Sequence, residues 1–132
     1  PYLLDEIHSA AIYSRPKEGS FDIVGHWGIV VHNDSGNYLV HNILTGTVAT
    51  PTSNMSANWK SVVNLPVKSN KTIQGMFKST GLSAYLPQSI LKYVTQGFCT
   101  GATGSMATYL THESFMKTIN QIFIANQKLL LI

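Results

Sequence analysis

Apolar and polar positions alternate most cleanly between residues 21 and 43. The run FDIVGHWGIVVH is rich in β-branched and aromatic side chains, the mark of a strand with one buried face. Asn33-Asp34-Ser35-Gly36 supplies turn formers and a glycine able to take positive φ, and Asn37–Ile43 reads as the returning strand. The pattern predicts a β-hairpin with Asn33–Gly36 as its loop. Residues 44–70 are rich in Thr, Ser, Asn and Pro; within them SVVNLPVK reads as a further strand that Pro66 confines to an edge or an end. Pro87–Gln96 has proline at a first helical position, an apolar stripe at Ile90, Leu91 and Val94, and Gly97 to end it. TGATGSMATYL after Cys99, and Glu113–Gln127 with Phe115, Ile119, Ile122 and Phe123 on one side, read as two more helices. Residues 1–14 fit a short helix or an extended lead-in, Pro16–Gly19 a turn, and Lys71–Lys78 either class. Strands early and helices late give an α+β fold. With no internal repeat or composition break, 132 residues predict one domain over 1–132.

Composition narrows the chemistry. The net charge is +3, but the nine Lys and Arg are scattered, which describes a mildly basic surface compatible with anionic lipid or nucleic acid and diagnostic of neither. The single cysteine, Cys99, excludes an intramolecular disulfide and a Cys-rich zinc site and fits a reducing compartment. It is either a small buried hydrophobe or a nucleophile. Five charged residues and no long apolar core in residues 1–19 argue against a signal peptide. No stretch reaches the ~18 apolar residues of a membrane span. The expected location is cytoplasmic, with membrane association through the apolar C-terminal end, IFIANQKLLLI.

Three of the five histidines lie in the hairpin. Successive strand residues face opposite sides, so His26, Gly28, Val30 and His32 share one face and Trp27, Ile29 and Val31 the other. With Asn33–Gly36 as the loop, Gly28 falls opposite His41 and His26 opposite Ile43. His26 and His41 are then diagonal neighbours on one face, roughly 6–8 Å apart at Cβ, and Gly28 leaves open space beside them. His32 stands about 20 Å along the strand from His26 at ~3.3 Å per residue, so it reads as a solvated residue of the loop end rather than as a third ligand of one metal site. His8 and His112 read as surface or capping residues, Trp27 as core, and Trp59 as either core or ligand-facing.

Cys99 follows a turn and opens a segment thick with small residues: Thr100, Gly101, Ala102, Gly104, Ser105 and Ala107. At a helix N-terminus the dipole and free N–H groups stabilise a thiolate and lower the thiol pKa from ~8.5. The small residues permit close packing on a sheet and bring the sulfur toward a strand histidine. Nucleophile, base and a third polar residue to orient the base make up an activated thiol.

HWGIVV, a hairpin loop, YLVHN and a single Cys at a helix start together resemble the lecithin:retinol acyltransferase-like (H-box/NC) branch of the NlpC-type papain-like superfamily. That branch includes the HRAS-like suppressor phospholipase/acyltransferases and the picornavirus 2A H-box/NC proteins. PKEGSFDIVGHW also looks like the family's opening segment, with Gly19, Phe21 and Ile23 leading into the strand. His26 and Cys99 are 73 residues apart, within the family's range, and the resemblance covers roughly residues 16–110. It implies a permuted papain-like fold, with an antiparallel sheet packed against helices. It assigns Cys99 as nucleophile, His26 as the base that activates it and His41 as the residue that orients His26. Two departures stand out: Phe98 replaces the Asn that precedes the family's cysteine, and the hairpin loop is about three residues longer than in the cellular enzymes.

The resemblance implies a cysteine-dependent acyl hydrolase or acyltransferase acting on phospholipid esters, with no cofactor and no metal. Two alternatives stand beside it. One is a cysteine peptidase or amidase of the NlpC type using the same three residues. The other is a non-enzymatic viral 2A-type module binding RNA, a membrane surface or a host protein, which the replacement of Asn by Phe98 favours.

Overall fold

A computed structural model describes residues 1–15, 26–43, 46–81, 99–114, 116–117, 120–121 and 124, with Cys99 and Thr100 described by their backbone alone. Five strands form one antiparallel sheet: β1 (Ser9–Arg15), β2 (His26–Asn33), β3 (Gly36–Ile43), β4 (Gly46–Pro51) and β5 (Lys60–Leu65). Their order is β4-β3-β2-β1-β5, so β2 is central and β4 and β5 are the edges. Two helices follow, α1 (Ile73–Thr80) and α2 (Cys99–Thr111). The class is α+β, as the pattern predicts.

The hairpin forms with the expected pairing, Gly28 opposite His41 and His32 opposite Asn37. Its loop is shorter than expected. Asn33 and Gly36 still pair, which leaves Asp34 and Ser35 as a two-residue turn. The Asn33 side chain closes that turn by accepting from the backbone N–H of Ser35 at 2.9 Å and of Gly36 at 3.2 Å. SVVNL forms the edge strand β5, and Pro66 follows directly after it. Residues 1–14, which their pattern leaves between two classes, hold all of β1 but its last residue, Arg15, which pairs with His26. The expected turn at Pro16–Gly19 and the helix at Pro87–Gln96 lie outside the described residues. So do the apolar positions Phe115, Ile119, Ile122 and Phe123 of the third predicted helix.

Burial separates the two faces of the sheet. Ile12, Trp27, Ile29, Val31 and Val40 form one core cluster with Ile73 and Met76 of α1 and Met106, Ala107 and Leu110 of α2. Both helices therefore cover the face that carries Trp27, which is 1% exposed. At ~25 cal/mol per Å2 of apolar surface, a buried side chain of this size supplies roughly 4–6 kcal/mol, which makes this face the main cohesive layer. The carbonyl of Leu110 accepts from Lys68 N–H at 2.8 Å, tying the end of α2 to the chain just past β5. Leu65 of β5 pairs with Ala10, and Ala10 with Val31, at the turn end of β2. A 13-residue helix is about 20 Å long, so α2 runs back from there and starts, at Cys99, toward the His26 end.

Helix α1 is delimited by its caps. Thr72 accepts the Gly75 N–H on its side-chain oxygen at 3.0 Å, and Gly81 ends the helix in the left-handed conformation at φ 64°. Gly75 is there because α2 comes close: a Cβ at that position would overlap the Tyr109 hydroxyl and ring. That hydroxyl accepts from Thr72 N–H at 3.1 Å, locking the two helices together. Gly75→Ala would gain up to about 1 kcal/mol of helix propensity. Displacing Tyr109 is expected to outweigh this and lower stability by about 1–2 kcal/mol net. In a Tyr109→Ala background the same change is expected to become neutral or stabilising. Urea unfolding of the four chains measures the coupling; a Gly75→Ala chain more stable than wild type contradicts the contact.

Candidate functional site

Strand register decides where the histidines go. His26, Gly28 and Val30 of β2 share a face with Arg15, Tyr13 and Ala11 of β1 and with His41 and Leu39 of β3. This is the face away from the helices. His26 lies directly across from Arg15, and His41 across from Gly28 on one side and Val48 on the other. His26 comes near enough for its charge to act on His41, as the hairpin pattern predicts.

Gly28 does not leave open space, contrary to expectation. A Cβ there would stand 2.9 Å from the Cβ of His41, 2.9 Å from Leu39 Cδ1 and 3.1 Å from the Val40 carbonyl. The missing side chain lets β3 approach closely, and that approach holds the base of His41 in place. Two of the three obstructing atoms belong to backbone or to the root of a side chain, so they cannot swing aside.

A residue from outside the hairpin completes this face. Since β4 and β5 are at opposite edges, residues 52–59 must cross about 19 Å of sheet at ~4.8 Å per strand. The 3-10 turn Thr52–Asn54 packs on β3, and Trp59 lies over the histidine face, 8% exposed. The His41 ring meets the Trp59 ring edge-on at 5.7 Å between centroids. The Arg15 guanidinium lies over the same indole, 5.7 Å from its centre, in the geometry of a cation–π contact. Leu39 beneath is 2% exposed. Toward the turn end the same face opens into a shallow cleft of about 400 Å3 lined by Tyr13, Val30, His32, Asn37 and Asn64, among others.

Nothing in the sequence singles out Arg15 as a site residue, and Trp59 stands there as either core or ligand-facing. Arg15 joins through the β1–β2 pairing, where the pattern was undecided, and Trp59 through a polar crossover with no periodicity. The other histidines separate from this group. His32 bonds Asn37 at 2.9 Å at the turn end, and exposed His8 pairs with Asp34 at 2.8 Å. His112 is exposed just after α2 with φ 60°. Among the described residues no three His, Cys, Asp or Glu side chains gather as a metal site, and no helix is long and apolar enough to cross a membrane.

Cys99 is the first residue of α2. That helix packs, through Met106, Ala107 and Leu110, on the Trp27 face. The histidine pair and the cysteine's helix are thus on opposite faces of β2, toward the same end of the sheet. On the helix side that end is polar: Ser14, Asn42, Thr47 and Thr103 are buried there, and Thr47 donates to Asn42 at 2.9 Å.

No protein-family model, curated protein or solved structure matches the chain.

Burial pushes the His41 imidazole below its ordinary range, and the positive charges of His26 and Arg15 push it further the same way. The folded chain therefore binds fewer protons than the unfolded chain between that lowered value and the ordinary one near 6.5. The contribution is complete above the ordinary value and is lost as pH falls through the window beneath it. Unfolding midpoints are expected to drop on mild acidification, and His41→Gln is expected to flatten that slope; an unchanged slope would remove His41 as its source. Gly28→Ala is expected to cost about 1–3 kcal/mol by forcing β2 and β3 apart, and to bring the His41 pKa back toward normal. Histidine NMR titration reads the second effect, and a fully stable Gly28→Ala chain with an unmoved His41 contradicts it.

Proposed function

We propose that this chain is a divergent H-box protein of the lecithin:retinol acyltransferase-like kind. In our reading the histidine face works as a binding surface, without a cysteine nucleophile. The observation that carries this is the opposition of faces. A thiol–imidazole dyad needs sulfur and ring nitrogen within about 3–4 Å, whereas the helix that Cys99 opens packs on the far side of the strand that carries His26. Support also comes from the cleft on the histidine face, which the helices leave uncovered, and from Phe98 in place of the family's Asn. On this reading the module belongs with the viral 2A-type H-box proteins, and its ligand docks on β1, β2 and β3.

A second reading, the thiol acyl hydrolase or acyltransferase, is favoured by one specific observation. Burial and the nearby positive charges favour the neutral form of His41, the form that the partner of a general base needs, and it lies beside His26 at the end toward which α2 begins. Catalysis of that kind requires Sγ to meet His26 around the end of β2.

Incubation with phospholipid vesicles and with an activated ester, followed by intact mass spectrometry, separates the two. Binding without chemistry predicts no acyl adduct on Cys99 and unchanged ligand binding by Cys99→Ala. A thioester that forms in the wild type and disappears in His26→Ala establishes the second reading instead.

A further inference from the structure

Two further histidines meet at the turn end of the sheet. Ser9 pairs with His32, and the His8 N–H donates to the His32 carbonyl at 2.8 Å, so the strand register sets two imidazoles side by side. Their ring centroids are 5.9 Å apart, with the planes tilted by 50°. Each ring is also held by an acceptor. His8 Nε2–H donates to the Asp34 carboxylate at 2.8 Å, and His32 Nδ1–H donates to the Asn37 side-chain carbonyl at 2.9 Å. Carboxylate and amide oxygens only accept, so each contact fixes a proton on the nitrogen it engages. The neutral ring then carries its lone pair on the other nitrogen. His8 offers Nδ1 and His32 offers Nε2.

A carboxylate or carbonyl on one ring nitrogen and a lone pair on the other is the arrangement found in metal-ligating histidines. With metal–nitrogen bonds of ~2.0–2.1 Å, two imidazoles on one ion have ring centres roughly 5–6 Å apart, and the observed spacing falls in that range. Both side chains are exposed, so small rotations that bring the two nitrogens to one point meet little resistance. Local charge has the right sign for a cation. Asp34 bonds His8, and Asp5 accepts from the hydroxyl of Ser35 in the same turn.

We propose that His8 and His32 form a two-histidine site for a divalent transition-metal ion of the imidazole-preferring kind, Cu2+, Ni2+ or Zn2+. Asp34 and Asn37 are its positioning residues. Two protein ligands leave the remaining coordination positions to water or to a small donor molecule at the cleft that His32 lines. The site needs nothing from Cys99, His26 or His41, so it goes beyond the binding-surface reading and stands without it.

The test titrates Zn2+ into the Cys99→Ala chain, in which no thiol competes, while histidine ring resonances are followed by NMR. The His8 and His32 signals are expected to move together to saturation at one ion per chain, with His26, His41 and His112 unmoved. His8→Gln and His32→Gln are each expected to weaken binding about tenfold or more, because either change leaves a single ligand. Asp34→Asn, which keeps an acceptor oxygen and removes the charge, is expected to weaken it by less than Asp34→Ala. Affinity should fall from Cu2+ to Zn2+ to Mn2+, and Mg2+ should leave both rings untouched. The urea midpoint should rise with added Zn2+ in the parent chain and not in the single-histidine variants, since the ion binds the paired rings of the folded state. Separate midpoints for His8 and His32, equal shifts at all five histidines, or a single-histidine variant that binds as tightly as its parent overturns the site.

Discussion

The close approach of β2 and β3 at Gly28 and His41 governs this molecule. Register in an antiparallel pair has a period of two, and a shift by one residue would exchange the faces along the whole strand. Here the register is held from both sides. Trp27, Ile29 and Val31 must face the helices, and Gly28 must face His41, because only a residue without Cβ fits beneath it. The same alternation that buries the core therefore fixes His26 and His41 on the other side.

This constraint bears on two features that the sequence places in one motif, the histidine pair and the helix that Cys99 opens. HWG and the single Cys belong together by family resemblance, and close packing of a small-residue helix on the sheet was the expected way to unite them. The helix does pack closely, with Ala102, Met106 and Ala107 buried, but on the Trp27 face. What gathers around the histidines instead is Arg15 from β1 and Trp59 from the crossover. Positive charge, an indole and two imidazoles make a different chemistry from that of an activated thiol.

Local pattern carried the hairpin, the edge strand β5 and helix α2, since each has a period, a turn or a breaker of its own. The pairing of His41 with Gly28 followed from alternation alone. The loop length did not, because Asn33 serves both as a ladder residue and as the acceptor that closes the turn. Strand β1 and helix α1 were not legible: SAAIYSR has small residues that suit either class, and Ile73–Thr80 is too short for its stripe to decide. The choice between core and ligand-facing for Trp59 stayed open for a physical reason. Its position follows from β4 and β5 being at opposite edges, and that is a property of topology, which no local window contains.

The proposed binding-surface reading requires that Cys99 and His26 do not form a dyad. The pH dependence of Cys99 alkylation, compared between the wild type and His26→Ala, tests it most directly because the chain has one cysteine. Superimposable profiles are predicted. A depressed thiol pKa that returns to the ordinary value near 8.5 when His26 is removed would contradict the claim.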